Sequence, residues 1–105
     1  MTTSQMTPEF DKLYCAYRRA KAMADLAFYT APGPGNMTDQ ESDAYCTAQH
    51  SSAMAVMRHP ASNAIELALK MEVFMAEELY EGNFSMVKDV AFRLADDAHG
   101  LAYGR

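Results

Sequence analysis

The sequence has few of the residues that build disulfide frameworks, β-sheets or membrane spans. It contains no Trp, five Gly, four Pro and two Cys in 105 residues, and β-branched residues are scarce. No run approaches the roughly 18 uninterrupted apolar residues that a membrane-spanning helix needs. Cys15 and Cys46 are too few for a disulfide framework, and we expect two buried thiols rather than a bridge. These absences argue against a membrane protein, a disulfide scaffold and a β-rich fold.

The chain has the size and the start expected of a single-domain cytoplasmic protein. Its first ten residues, MTTSQMTPEF, have neither the basic start nor the apolar segment of a secretory signal. We expect one domain over residues 1–105. Residues 1–6 are predicted to be a disordered tail, and the Pro/Gly-rich segment 30–37 is predicted to be a loop.

The residues that are abundant favour helices. Half of the chain is hydrophobic, and nine Met and many Ala favour an all-α fold. Apolar residues recur at three- and four-residue steps and predict four helices, with bounds at about 8–29, 39–58, 63–81 and 85–102. The connection between the last two is short, so they are predicted to form an antiparallel hairpin. The expected architecture is a small four-helix bundle.

Each predicted helix begins at a capping signal. Thr38 and Glu41 have the spacing of a capping box. Pro60 disfavours the helical conformation at His59, which predicts a tight break between the second and third helices, with one kinked continuous helix as the alternative. The candidate N-caps are Thr7, Thr38, Ser62 or Asn63, and Asn83 or Ser85.

The third predicted helix is apolar around most of its circumference. Four short helices cannot cover every side of it within one chain, so we predict self-association, with a two-fold homodimer as the expected form. Methionine side chains suit partner surfaces because they are flexible and polarizable. The predicted apolar partner-binding residues are Met54, Met57, Met71, Phe74 and Met75.

Acidic residues are concentrated in the last predicted hairpin. The formal net charge of the chain is −5, and residues 66–97, with three Lys or Arg against eight Asp or Glu, alone carry −5. Such a face could occupy the basic groove of a nucleic-acid enzyme, as phage-borne anti-CRISPR inhibitors do. The same charge disfavours direct binding to nucleic acid. The predicted acidic partner-binding residues are Glu77, Glu78, Glu81, Asp89, Asp96 and Asp97.

No pattern in the sequence predicts catalysis. Cys46 and His50 lie one helical turn apart, with Asp43 a turn earlier, and they are the best candidates for metal ligands. The carboxylates and Glu-x-x-His pattern of di-iron bundles are missing, and so is a Gly-rich phosphate loop. A metal-dependent bundle enzyme is therefore only the third interpretation. We predict no catalytic residue, no metal and no cofactor.

The segment from Met54 to Ser62, followed by Leu67-Ala68-Leu69-Lys70, resembles small uncharacterised helical proteins of alphaproteobacteria and their phages. The shared pattern is an apolar helix end, Pro-Ala, a hydroxyl residue, and then Leu and Lys. The resemblance implies a helix-break-helix element and a phage-related origin, but no activity. The sequence as a whole predicts a small acidic, non-catalytic protein that binds another protein or itself. A phage-type inhibitor with an acidic binding face is the alternative.

Overall fold

Four helices follow one another along the chain in a computed structural model that describes residues 5–30 and 37–104. They are α1 (Pro8–Thr30), α2 (Asp39–Arg58), α3 (Ala64–Ala76) and α4 (Phe84–Tyr103). The described part of the chain contains no β-strand, and the predicted all-α fold is confirmed. None of its helices is long and apolar enough to cross a membrane.

Side-chain caps define the starts of three helices. Thr38 and Glu41 form the predicted capping box: the Glu41 N–H donates to Thr38 Oγ1 (3.1 Å), and the Thr38 N–H donates to Glu41 Oε1 (3.2 Å). Asn63 caps α3 and Asn83 caps α4, and each side-chain oxygen accepts a backbone N–H at 2.9 Å. These bonds satisfy donors that have no partner within the first helical turn.

The predicted break between the second and third helices is present. α2 ends at Arg58, and His59 has an extended backbone (φ −81°, ψ 127°) in front of Pro60. α3 starts afresh at Ala64. α2 and α3 are therefore two helices rather than one kinked helix, because the residue before a proline avoids the helical conformation.

α3 ends at Ala76, earlier than the predicted bound at residue 81. The chain turns there through a Schellman motif. The Leu79 N–H donates to the Phe74 carbonyl (3.0 Å), and the Glu78 N–H donates to the Met75 carbonyl (3.2 Å). Glu78 takes the left-handed position of the motif at φ 51°. The turn places Leu79, which is 2% exposed, in the core. Residues 77–81, which were predicted to be helical, therefore belong to the connection between α3 and α4.

α1 and α2 form an antiparallel pair. Near the start of α1, the ring of Phe10 lies 6.1 Å from that of His59, just beyond the end of α2. Near the end of α1, Phe28 lies 6.3 Å from Tyr45 in the first half of α2. This is the most extensive helix contact of the molecule.

The hydrophobic core lies at one end of the α1–α2 pair. There α3 and α4, joined by residues 77–83, pack against α2 and against each other. All four helices supply side chains to this region, which we call the core end. Its buried apolar residues are Phe10, Tyr17, Ala53, Met54, Val56, Met57, Val73, Leu79 and Val90.

The other end of the α1–α2 pair extends beyond the core. We call this two-helix extension, residues 18–30 and 38–48, the arm. Within those two ranges Ala24 is the one buried residue. The molecule is flat and elongated, with extents of 51 × 37 × 16 Å and a radius of gyration of 15.7 Å. A compact chain of 100 residues has a radius of gyration of about 13 Å.

The predicted tail and loop fall partly outside the described residues, which exclude residues 1–4 and 31–36. Gln5 and Met6 belong to the folded structure, because the side-chain amide that caps α3 donates to the Gln5 carbonyl (2.8 Å) and Met6 packs against the core. The predicted tail therefore does not include them. At the loop, Thr30 is the last residue of α1 rather than the first residue of the connection.

Candidate protein-interaction surfaces

An ion pair is buried between α3 and α4. Lys70 Nζ contacts Asp97 Oδ2, and the two side chains are 1% and 4% exposed. Lys70 Nζ also donates to the His59 carbonyl (2.7 Å), and Asp97 Oδ1 accepts the Ala61 N–H (3.0 Å). The pair thus fixes the backbone of the break between α2 and α3. Each charge needs the other, because an unpaired charge in this position is strongly destabilising.

Glu66 is also fully buried. Its Oε2 accepts the backbone N–H (2.6 Å) and the hydroxyl (2.8 Å) of Thr7, and its Oε1 accepts the Ser62 N–H (2.7 Å). Burial acts to raise the pKa of Glu66, but these hydrogen bonds outweigh burial and hold the pKa below its usual value. The Glu66 carboxylate therefore ties the start of α1 to the break before α3.

Glu77 connects the turn after α3 to α1 and α2. Its Oε2 accepts the Tyr17 hydroxyl (2.7 Å) and the Gln49 amide (2.8 Å). Burial, and then the hydrogen bond to Glu77, raise the pKa of Tyr17, so the phenol remains a donor. In the described ranges every buried side-chain nitrogen and oxygen has a hydrogen-bond partner. Glu77 thus holds the turn after α3 against α1 and α2.

α3 buries two charged side chains beside Val73 and exposes two methionines. Glu66 and Lys70 face the core, whereas Met71 (54% exposed) and Met75 (60% exposed) face outward. A helix on the surface of a globular protein ordinarily has the opposite arrangement. The outward residues line a shallow groove of about 680 Å³, formed by Ala68, Met71, Glu72, Met75 and Ala76. We call these five residues the outer face of α3.

The other predicted apolar partner-binding residues do not lie on this face. Met54 (4% exposed) and Met57 (0% exposed) are core residues. The prediction is wrong for these two, because the second half of α2 is surrounded by the other helices. Phe74 is half-buried, packs against the core and contacts the Tyr80 ring edge-on at 5.9 Å.

The six predicted acidic residues do not form one open face. Asp97 is buried against Lys70, so its assignment to a binding surface is wrong. Glu77 accepts two hydrogen bonds, and Asp89 pairs with Arg93 one turn away at 3.1 Å. Asp89 is nevertheless exposed, as are Glu78, Glu81 and Asp96.

α4 carries a second outward apolar surface, opposite its buried residue Val90. Phe84 (79% exposed), Phe92 (64%) and Tyr103 (79%) lie on this side. Lys88 lies over the rings of Phe84 and Phe92, 5.9 Å from each centroid, in cation–π geometry. None of these residues is among the predicted partner-binding residues. The spacing of four between residues 84, 88 and 92 was the signal for this surface.

A groove of about 430 Å³ runs along one side of the arm, between α1 and α2. Four alanines line it, together with Arg19, Met23 (55% exposed) and Tyr45. None of the predicted partner-binding residues lies in this groove. The spacing of the alanines on both helices was the signal that small side chains line one face of the pair. The alanines are Ala16, Ala20, Ala44 and Ala48.

The candidate chemical groups lie apart from one another. Cys46, His50 and Asp43 are exposed, and no three His, Cys, Asp or Glu side chains of the described residues are placed to hold a metal ion. Cys15 and Cys46 are free and exposed, so the prediction of buried thiols is wrong. A hydrogen bond from Cys15 to Asp11 (3.5 Å) raises the pKa of the thiol, which makes it less reactive.

No family model, curated protein or solved structure matches the chain. Its function is therefore inferred from its own surfaces. Three of these are apolar and face outward: the arm groove, the outer face of α3 and the outer side of α4.

Proposed function

We propose that this chain is a non-catalytic protein-binding protein that acts as a homodimer and presents the outer face of α3 to a further protein. The observation that carries the proposal is the arrangement of α3, which buries Glu66 and Lys70 and exposes Met71 and Met75. Exposed apolar patches of this kind mark interaction sites. We place the protein in the cytoplasm, because two exposed free thiols suit a reducing compartment.

The alternative function, a phage-type inhibitor whose acidic face fills a nucleic-acid-binding groove, has less support. A mimic of a phosphate backbone needs a row of accessible charges. Asp97 is buried against Lys70, and Asp89 is paired with Arg93. An apolar contact is expected to persist at about 1 M salt, whereas binding through acidic residues weakens steeply as screening increases.

A photoreactive benzophenone side chain at position 71 tests the α3 surface in the native host. We expect an adduct whose mass differs from that of two copies of the chain and that disappears when Met75→Glu is added. The same adduct is expected to form equally in a host lysate at high salt. The matched control is Phe92→Glu on α4, since Phe92 (64% exposed) is as accessible as Met75 (60% exposed) and lies outside the outer face of α3. An adduct insensitive to Met75→Glu, or no adduct, would refute the proposal for this face.

A further inference from the structure

The side chains of the arm groove have the spacing of a helix-packing surface. On α1, the residues on the groove side follow one another at alternating steps of four and three residues, and this spacing places side chains in one seam of packed helices. On α2 the seam is continued by Ala44, Tyr45 and Ala48. Alanines let a facing helix approach closely, while Met23 and Tyr45 are large enough to fill the spaces on a partner. The seam residues of α1 are Ala16, Ala20, Met23, Ala27 and Thr30.

The arm lacks the layers that would cover this groove. It consists of two helices, and two helices bury only the seam between them. In residues 18–30 and 38–48 the burial reaches Ala24 alone. Helix pairs of this kind are stable in bundles of four, in which two pairs cover each other.

The charges of the arm are separated along its length. Its base, next to the core end, carries Arg18 and Arg19, and Lys21, which pairs with Asp25 one turn further along α1. Its tip, at the start of α2, is acidic: Asp39, Glu41 and Asp43. Arg19 lines the groove at the base, and Glu41 lies on the same side of α2 as Ala44 and Tyr45, one turn nearer the tip. The basic and acidic ends are roughly 15 Å apart along the helices.

We propose that the arm groove is the homodimer interface, in which the arms of two copies pack side by side around a two-fold axis and form an intermolecular four-helix bundle. The inference rests on the proposed function, which requires a homodimer. A two-fold axis across the arm places the acidic tip of each copy against the basic base of the other. Both the alanine-lined spaces and the side chains that fill them come from the same surface, as a self-complementary interface requires. The outer face of α3 remains available for a further protein.

The first test compares two methionines of equal exposure by sedimentation equilibrium from micromolar to hundreds of micromolar concentrations. The wild-type chain is expected to have twice the monomer mass of 11.6 kDa. Met23→Glu is expected to raise the dimer Kd at least tenfold, because it replaces an apolar side chain that fills the interface with a charge that must be desolvated. Met71→Glu, on the outer face of α3, is the control and leaves the Kd unchanged. Circular dichroism of both variants checks that the helices are retained.

The second test exchanges the paired charges. Arg19→Glu and Glu41→Lys each put like charges opposite one another in a homodimer, so each variant alone is expected to dimerise at least tenfold more weakly at low salt. A mixture of the two restores opposite charges at both contacts of a heterodimer. The mixture is therefore expected to recover the dimer mass, a result that loss of the Glu41 helix cap would not produce.

The outcomes separate this interface from the proposed function. The arm interface is overturned if Met71→Glu weakens the dimer as much as Met23→Glu does, or if the mixture of charge variants stays monomeric. Either result leaves the proposed binding of another protein intact. A wild-type chain that is monomeric throughout overturns the homodimer, and the cross-link at position 71 then decides separately whether the chain binds another protein.

Discussion

The two ends of the α1–α2 pair use similar side chains for opposite purposes. At the core end, Met57 is fully buried and Lys70 pairs with Asp97 out of contact with water. On the arm, Met23 is 55% exposed, and Lys21 pairs with Asp25 in side chains that are 40% and 65% exposed. The interior of the core end is thus closed within one chain, whereas the arm is stabilised by little beyond its own helices. This difference is the reason for placing the proposed homodimer interface on the arm.

The largest contrast is expected between the two Lys–Asp pairs. Asp97→Ala leaves Lys70 buried without its partner and should lower the free energy of unfolding by about 3–5 kcal/mol. Asp25→Ala, which removes the same residue type from the exposed pair on the arm, should cost about 0–1 kcal/mol. Urea denaturation of both variants measures the contrast. Equal costs would contradict the difference between the two ends.

The next contrast uses the same truncation at both ends. Met57→Ala creates a cavity in the core and should destabilise the chain by about 2–5 kcal/mol. Met23→Ala should change the stability of the monomer by less than about 0.5 kcal/mol, since surface changes are usually small. The comparison is made by thermal unfolding at concentrations at which the chain is monomeric. A large effect of Met23→Ala under those conditions would mean that the arm is packed within the monomer.

Acid should weaken the core end through Glu66. Folding lowers the pKa of this carboxyl. The ionised carboxylate therefore stabilises the fold fully at pH values above the pKa of the unfolded chain, which is about 4.3. This stabilisation is lost as the pH falls through the lower pKa of the folded chain. Glu66→Gln places an amide donor where Thr7 or Ser62 donates, at a cost of about 1–3 kcal/mol at neutral pH. The stability difference between wild type and variant should be constant above about pH 5 and should shrink below about pH 4. A difference that grows in acid would show that Glu66 is stabilised in its protonated form.

The smallest expected effect is at the turn after α3. Glu78 has a left-handed backbone, which is unfavourable for a residue with a Cβ atom. Glu78→Gly should therefore stabilise the chain by about 0.5–1 kcal/mol, although the glycine adds some freedom to the unfolded state. Glu81→Gly, three residues further along the same connection, is the control and should not stabilise the chain. The midpoints of urea unfolding give the comparison.

The parts of the fold that depend on local chemistry could be predicted from the sequence. The capping box at Thr38, the cap at Asn63 and the break at Pro60 depend on neighbouring residues, and all three are observed. The end of α3 could not be predicted in this way. It depends on the burial of Leu79 by distant helices, which outweighs the unfavourable backbone of Glu78.

The candidate surfaces were only partly predictable for a similar reason. The hydrophobicity of Met71 and Met75 correctly suggested an apolar surface, but the same argument assigned the buried residues Met54 and Met57 to it. Composition does not show which side of a helix is covered by the other helices. Asp97 was assigned to an acidic face because an ion pair with Lys70, 27 residues away, cannot be read from spacing. Sequence patterns show that a residue prefers burial, and tertiary packing decides whether the chain itself provides it.

The bonds between Thr7 and Glu66 have a consequence for the order in which the protein folds. They join residues 59 positions apart, so they close a loop that contains all of α1 and all of α2. Closing so long a loop costs conformational entropy, which a hairpin already formed inside it would reduce. The α1–α2 hairpin is therefore expected to assemble early, and docking of Thr7 onto Glu66 late. Deletion of residues 1–7 should accordingly speed unfolding far more than it slows refolding.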